Sequence, residues 1–134
     1  MVDQDIRWQQ RFNHFEKAFL LLQDAIAVEA PSVLERAGLI QFFEMAFELA
    51  WKLLKDFEEA EGFAVRSPRD AIKRAFEAGV ISDGHDWIDA LEDRNLTPHT
   101  YNEETAQDVE RKIRNKYFPL LDGLHRGFYE RARG

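Results

Sequence analysis

In the stretch DRNLTPHTY, Asp93 to Tyr101, an arginine, a histidine and a tyrosine gather around a proline. An arginine with a histidine is a minimal set for phosphodiester chemistry on RNA. The imidazole of His99 can move a proton near neutral pH, and the guanidinium of Arg94 can brace a phosphate through paired hydrogen bonds. The ribose 2′-OH supplies the nucleophile, so the reaction needs no metal. The same residues admit a plainer role, in which Arg94 pairs with a carboxylate such as Glu48 or Asp93 and His99 caps a turn. Tyr101 has its own plain reading, a ring packed near a helix start.

The elements around the stretch decide whether these groups can meet. Arg94 follows Leu91 by three residues and Trp87 by seven, so it continues an inward helix face, where a guanidinium is costly unless paired. Pro98 disfavours the helical conformation at Thr97, which predicts a helix end just before His99. Thr100 with Glu103, or Asn102, then caps the next helix. In an unbroken helix Arg94 and His99 would lie about 140° apart. The break could let them converge, and a two-fold interface is a second route to the same end.

The remaining chain predicts helices throughout. Trp8, Phe12, Phe15, Phe19, Leu22 and Ile26 step by alternating fours and threes, the stripe of a long amphipathic helix. Pro31 closes the gap after it, and Ser32 with Glu35 forms a capping box. The next segment is apolar on most of its circumference, from Leu39 to Phe57. Only Gln41, Glu44, Glu48, Lys52 and Lys55 interrupt, as one narrow polar stripe that includes the i, i+4 pair Glu48–Lys52. Such a helix is central in its bundle or shared with a second chain, and with few helices to cover it both are expected, hence a dimer. Ser67, Pro68, Asp70 and Gly79 punctuate a short helix. Trp87 and Leu91 turn inward on another. The last, from about Glu103 to Arg131, carries Val109, Ile113, Leu120, Leu124 and Phe128, with a kink expected at Pro119. The expected fold is therefore all-α: an up-and-down bundle of four to five helices, homodimeric, in one domain spanning residues 1–134.

Composition narrows the function. The absence of cysteine excludes disulfides, thiolate zinc sites and a cysteine nucleophile, and fits a reducing cytoplasm. The N-terminus lacks the pattern of a signal peptide, and no apolar run approaches the roughly 20 residues of a membrane span. His14, His85 and His125 are scattered, without metal-ligand spacing, and read as surface or helix-end residues. No glycine-rich phosphate loop is present, so neither ATP nor another cofactor is expected on the chain itself. The net charge of −7 opposes nonspecific binding to a polyanion. It is uneven, however: residues 1–93 hold 10 Lys+Arg against 19 Asp+Glu, and residues 94–134 hold 8 against 6. The acidic excess stops where the Arg–His stretch begins, which permits RNA nearby. Arg66, Arg69, Lys73 and Arg74 form a second basic cluster, able to grip RNA or an acidic partner or simply to face water.

Arg94, four intervening residues, His99 and then Tyr101 resemble the R-x4-6-H motif of HEPN domains. With FELAWKLLKDF, SPRDAIKRAFEAGVI and RNLTPHTYNEETA in order, the chain resembles, over roughly residues 5–125, the HEPN branch of nucleotidyltransferase substrate-binding proteins allied to the HepT toxins. The resemblance implies a homodimeric helical bundle with the motif near its interface and a cognate minimal nucleotidyltransferase as partner. Two roles follow from it. In one, the chain is the toxin of a two-gene toxin–antitoxin module, a metal-independent endoribonuclease acting on RNA such as tRNA. There the partner silences it by attaching AMP to Tyr101. In the other it is a non-catalytic substrate-binding subunit of the nucleotidyltransferase. Carried over by position, His99 is the acid/base, Arg94 the phosphate brace and Tyr101 the AMP acceptor. Asn95 and Glu48 are supporting residues.

Overall fold

A computed structural model describes residues 2–96 and 102–133. Among the described residues the chain is helical without strands: α1 (Val2–Ile26), α2 (Val33–Ala60), α3 (Pro68–Glu77), α4 (Gly84–Leu96), α5 (Glu103–Lys112) and α6 (Phe118–Arg133). A π turn (Ile113–Tyr117) joins α5 to α6 without a break, so the bundle has five helical rods.

The stripe on α1 is buried as its spacing dictates. Trp8, Phe12, Phe15, Phe19 and Leu22 all lie in the core, and Ile26 is half-buried at the end. Trp8 meets Phe57 edge-on at 5.5 Å and Arg11 Nε meets Asp56 Oδ2 at 2.9 Å, so α1 and α2 run antiparallel along their length. Helix α2 is the centre of the bundle and packs against α1, α3, α4, α5 and α6. That accounts for most of its apolar circumference, while Met45 stays exposed and Phe42, Leu49 and Trp51 are only partly buried. The C-terminal rod lies along both, with Tyr117 stacked on Phe43 at 5.6 Å and Phe128 meeting Trp8 at 5.6 Å. The buried side chains form one continuous core. Among the described residues no helix is long and apolar enough to cross a membrane.

The punctuation works as polar chemistry requires. Glu35 N donates to Ser32 Oγ at 3.1 Å and Ser32 N donates back to Glu35 Oε1 at 2.8 Å, closing the capping box. Asp70 N donates to Ser67 Oγ at 3.0 Å at the start of α3. Gly79 follows that helix at φ +75°, a conformation that costs other residues strain. Asn102 Oδ1 accepts from Glu104 N at 2.9 Å and Thr105 N at 3.3 Å, which makes it the cap of α5. The described part of α4 runs to Leu96, and the helix end expected from Pro98 lies outside the described residues.

Three findings refine the expectations. First, around Pro119 the rod continues from α5 through a π turn into α6. The proline has no N–H for the carbonyl four residues back, and the turn before it widens, with Phe118 N donating to Ile113 O. The widened turn also shifts the buried register, so that Tyr117 and Leu121 are core and Leu120 is only partly buried. Second, His125 is not a surface residue. Its ring stacks on Phe19 at 4.6 Å and its Nε2 lies 2.8 Å from Glu16 Oε2, joining α6 to α1. Third, α2 buries two carboxyl groups on opposite sides, Asp56 against Arg11 of α1 and Glu58 near Arg74 of α3.

Candidate functional site

Two helices position the described part of the site. Glu48 sits midway along α2 on its polar stripe, and Arg94 sits in the last turn of α4. Arg94 Nη2 lies 3.0 Å from Glu48 Oε2, with the two side chains 31% and 33% exposed. Glu48 is itself held on two more sides. Trp51 Nε1 donates to the same oxygen at 3.2 Å, and Lys52 Nζ lies 3.5 Å from Oε1. The carboxylate thus holds one end of the guanidinium, and about a third of the arginine side chain stays exposed. The pairing of Arg94 with Glu48 that the sequence allowed is present in the structure. A guanidinium has five N–H donors, so a phosphate can share it with the carboxylate.

The neighbours of Arg94 divide. Asp93 turns away from it, towards the C-terminal rod, where it accepts a hydrogen bond from Tyr117 Oη and pairs with Lys112 Nζ at 3.5 Å. Asn95 is exposed. His99 and Tyr101, with Thr97, Pro98 and Thr100, lie outside the described residues.

A second group of polar residues escaped the sequence reading. Asp86, Asp89 and Asp93 form one stripe on α4, and Lys112 and Lys116 form the facing stripe on the C-terminal rod. Lys116 Nζ lies 2.8 Å from Asp89 Oδ2 and 3.5 Å from Asp86 Oδ1. The Lys116 hydrogen bond holds the Asp89 carboxyl below its ordinary value, and the same bond raises the lysine. Burial, then the hydrogen bond to Asp93, pushes the Tyr117 phenol far up. The signal was present in the spacing: acids at i, i+3 and i+7 opposite lysines at i, i+4.

These pairs change the meaning of the basic balance in residues 94–134. Arg111 pairs with Asp108, Arg114 with Glu110 and Arg126 with Asp122, in addition to Lys112, Lys116 and Arg94. The local surplus is spent largely on neighbouring carboxylates rather than gathered into a strip. In the other basic cluster Arg69 pairs with Glu92 at 3.3 Å, and the Arg74 guanidinium lies over the Phe63 ring at 4.3 Å.

Comparison with known proteins supports the same fold. The chain overlays a crystal structure from Thermus thermophilus with a TM-score of 0.75 and 35% identity, covering 90% of this chain and 99% of that one. It overlays a Haemophilus influenzae protein, described as revealing the fold of a substrate-binding domain of a nucleotidyltransferase, with a TM-score of 0.74 and 26% identity, covering 92% and 99%. It is 32% identical over 91 residues to the Haemophilus influenzae protein named "Probable ribonuclease HepT"; that match spans 62% of each chain. The family model "Nucleotidyltransferase substrate binding protein like" matches residues 10–129, nearly all of α1 through α6. With bundle, order of segments and family model in agreement, the chain belongs to the nucleotidyltransferase substrate-binding protein-like family.

Proposed function

We propose that the chain is the HEPN partner of a minimal nucleotidyltransferase and acts, as a homodimer, as a metal-independent endoribonuclease. The observation that carries this reading is Arg94. Its guanidinium stands at the end of α4, half-exposed and oriented by Glu48, five residues ahead of His99. The name of the Haemophilus relative points the same way. In the reaction His99 takes the 2′-OH proton, the 2′-oxygen attacks the adjacent phosphorus, the P–O5′ bond breaks, and the 5′-oxygen leaves with the proton that the His99 imidazolium returns. The products are a 2′,3′-cyclic phosphate and a 5′-hydroxyl. Arg94 braces the non-bridging phosphate oxygens while charge builds on them. Asn95, next to Arg94, orients the phosphate. The partner silences the activity by moving AMP from ATP to the Tyr101 hydroxyl, with release of pyrophosphate.

Dimerisation through the α2 side would bring two copies of the motif together. Leu34, 82% exposed, and the exposed Met45 lie on the stripe that leads to Glu48, beside the half-buried Phe42, Leu49 and Trp51. The test is cleavage of a tRNA pool by wild type and His99→Ala, in EDTA and at low salt. Cleavage by wild type alone supports the reading, and a His99→Ala protein that cuts as fast as wild type would falsify it.

A second reading, a non-catalytic substrate-binding subunit, is favoured by the ion pairing of the C-terminal basic residues, which leaves little free charge for RNA. It expects tight association with the nucleotidyltransferase and no RNA cleavage at any pH.

A further inference from the structure

We infer that Tyr117 is a positioning residue for Arg94: the π turn of the C-terminal rod directs its phenol onto Asp93, and this hydrogen bond clamps the last turn of α4 against the rod while Arg94–Glu48 clamps it against α2. The inference rests on the reading that Arg94 works on a phosphate.

The π turn is the first support. The buried positions Val109, Ile113, Tyr117 and Leu121 follow one another by fours. At about 100° per residue, three such steps would carry the stripe roughly 120° off the inward face of an ordinary helix. The wider turn at Ile113–Tyr117 removes much of that drift and keeps Tyr117 facing inward. Single π turns of this kind are frequent at functional sites. Here the Tyr117 side chain is 1% exposed, with its ring stacked on Phe43. A phenylalanine would fill that space equally well, so the hydroxyl has to be explained by its partner.

That partner is Asp93 on α4, the residue before Arg94. Adjacent residues on a helix point about 100° apart, so one faces the rod and the other α2. The phenol, pushed up by burial and by Asp93, stays a donor across the working pH range. The flanking pairs Lys112–Asp93 and Lys116–Asp89 line a solvent-filled cleft of about 370 Å³ with their lysines reaching into water, where ion pairs contribute little. The Tyr117 hydroxyl is the buried part of the clamp.

The experiment compares wild type, Tyr117→Phe and Asp93→Asn as full chains. Asn keeps an acceptor for the phenol, so Asp93→Asn serves as the conservative control. Amide hydrogen exchange is followed at Asp93, Arg94 and Asn95, and kcat and KM are measured for RNA cleavage. In Tyr117→Phe these three amides should exchange about fivefold to tenfold faster, with the α1 and α2 core unchanged. Its kcat should fall about tenfold while KM changes little. Asp93→Asn should stay near wild type in both. Tyr117→Phe exchange equal to wild type, or faster exchange with kcat unchanged, overturns the inference. If wild type cleaves no RNA, the nuclease reading fails on its own, and the exchange comparison still decides whether Tyr117 holds this turn.

Discussion

Arg94 and Glu48 meet at 3.0 Å between the end of α4 and the middle of α2, and Trp51 donates to the same Glu48 oxygen. A carboxylate beside a phosphate brace has two opposed effects: it orients the guanidinium and it repels the phosphate. The two can be separated. Glu48→Gln keeps an acceptor for both donors and removes the charge, so KM for RNA should fall with kcat near wild type. Glu48→Ala removes the anchor as well, and kcat should drop about tenfold. Steady-state kinetics on one RNA substrate reads both. Equal behaviour of the two variants would show that orientation is not the role of Glu48.

Arg94→Lys preserves charge and loses the planar fork. If the guanidinium braces the phosphate in two places, cleavage should fall at least about tenfold, and raising KCl should not restore it. A lysine variant with wild-type kcat would reduce Arg94 to a counter-charge.

Tyr101 is tested through the partner. Incubation with the cognate nucleotidyltransferase and ATP should add AMP mass to wild type and none to Tyr101→Phe, by intact-mass spectrometry. Cleavage by the modified wild type should be lost, whereas Tyr101→Phe should keep cutting in the presence of the partner. Modification of Tyr101→Phe at another residue would overturn the assignment.

The parts of the fold legible in the sequence are those that a single helical period and local hydrogen bonds determine. The α1 stripe, the Ser32–Glu35 box, the Ser67–Pro68 start, the Gly79 stop and the Asn102 cap each depend on residues within one or two turns. Tyr117 was missed because the stripe was carried from Ile113 to Leu120 in one step, whereas the widened turn brings Tyr117 and Leu121 inward; Leu124 and Phe128 are buried as expected. His125, Asp56 and the Arg36–Glu110 pair were missed for another reason. Their partners lie 109, 45 and 74 residues away, and no local pattern announces them. Of the site, the sequence named Arg94 and Glu48 as candidates for pairing. The division between Asp93 and Arg94 required the positions of two other helices.

Arg114 ties the α1–α2 corner to the C-terminal rod. Its Nη1 donates to Ile26 O at 2.7 Å, its Nη2 to Val28 O at 2.6 Å and its Nε to Glu110 Oε2 at 2.7 Å, while Arg36 grips Glu110 from the other side. Burial pushes the Glu110 carboxyl up, yet the hydrogen bonds from Arg36 and Arg114 outweigh it and hold the group below its ordinary value. Its contribution is therefore present above the ordinary carboxylate range and lost as pH falls through the depressed value. Arg114→Ala leaves two carbonyls and a half-buried carboxylate short of a donor. It should cost about 1–3 kcal/mol at pH 7 by urea unfolding, with the difference from wild type shrinking in acid. A loss that does not depend on pH would remove Glu110 from the account.

Glu58 gives the opposite sign. It is 4% exposed near the C-terminal end of α2, and among the described residues neither carboxyl oxygen has a hydrogen-bond partner. Burial pushes it up from 4.5 to about 8; Arg74 pulls it down, and Asp70 and Glu59 add to the rise. A group raised on folding is protonated in the native state while the unfolded chain has already lost the proton. Its stabilising contribution is complete below about 4.5 and declines as pH climbs to about 8. Glu58→Gln removes the titration and keeps the shape. The two proteins should unfold at similar urea concentrations at pH 4, and by pH 9 Glu58→Gln should be the more stable, by an amount on the order of a few kcal/mol at most. If wild type and Glu58→Gln instead keep a constant offset from pH 4 to pH 9, the carboxyl is already ionised in the native state. Arg74, which lies over Phe63 at 4.3 Å, would then be the charge that holds it there.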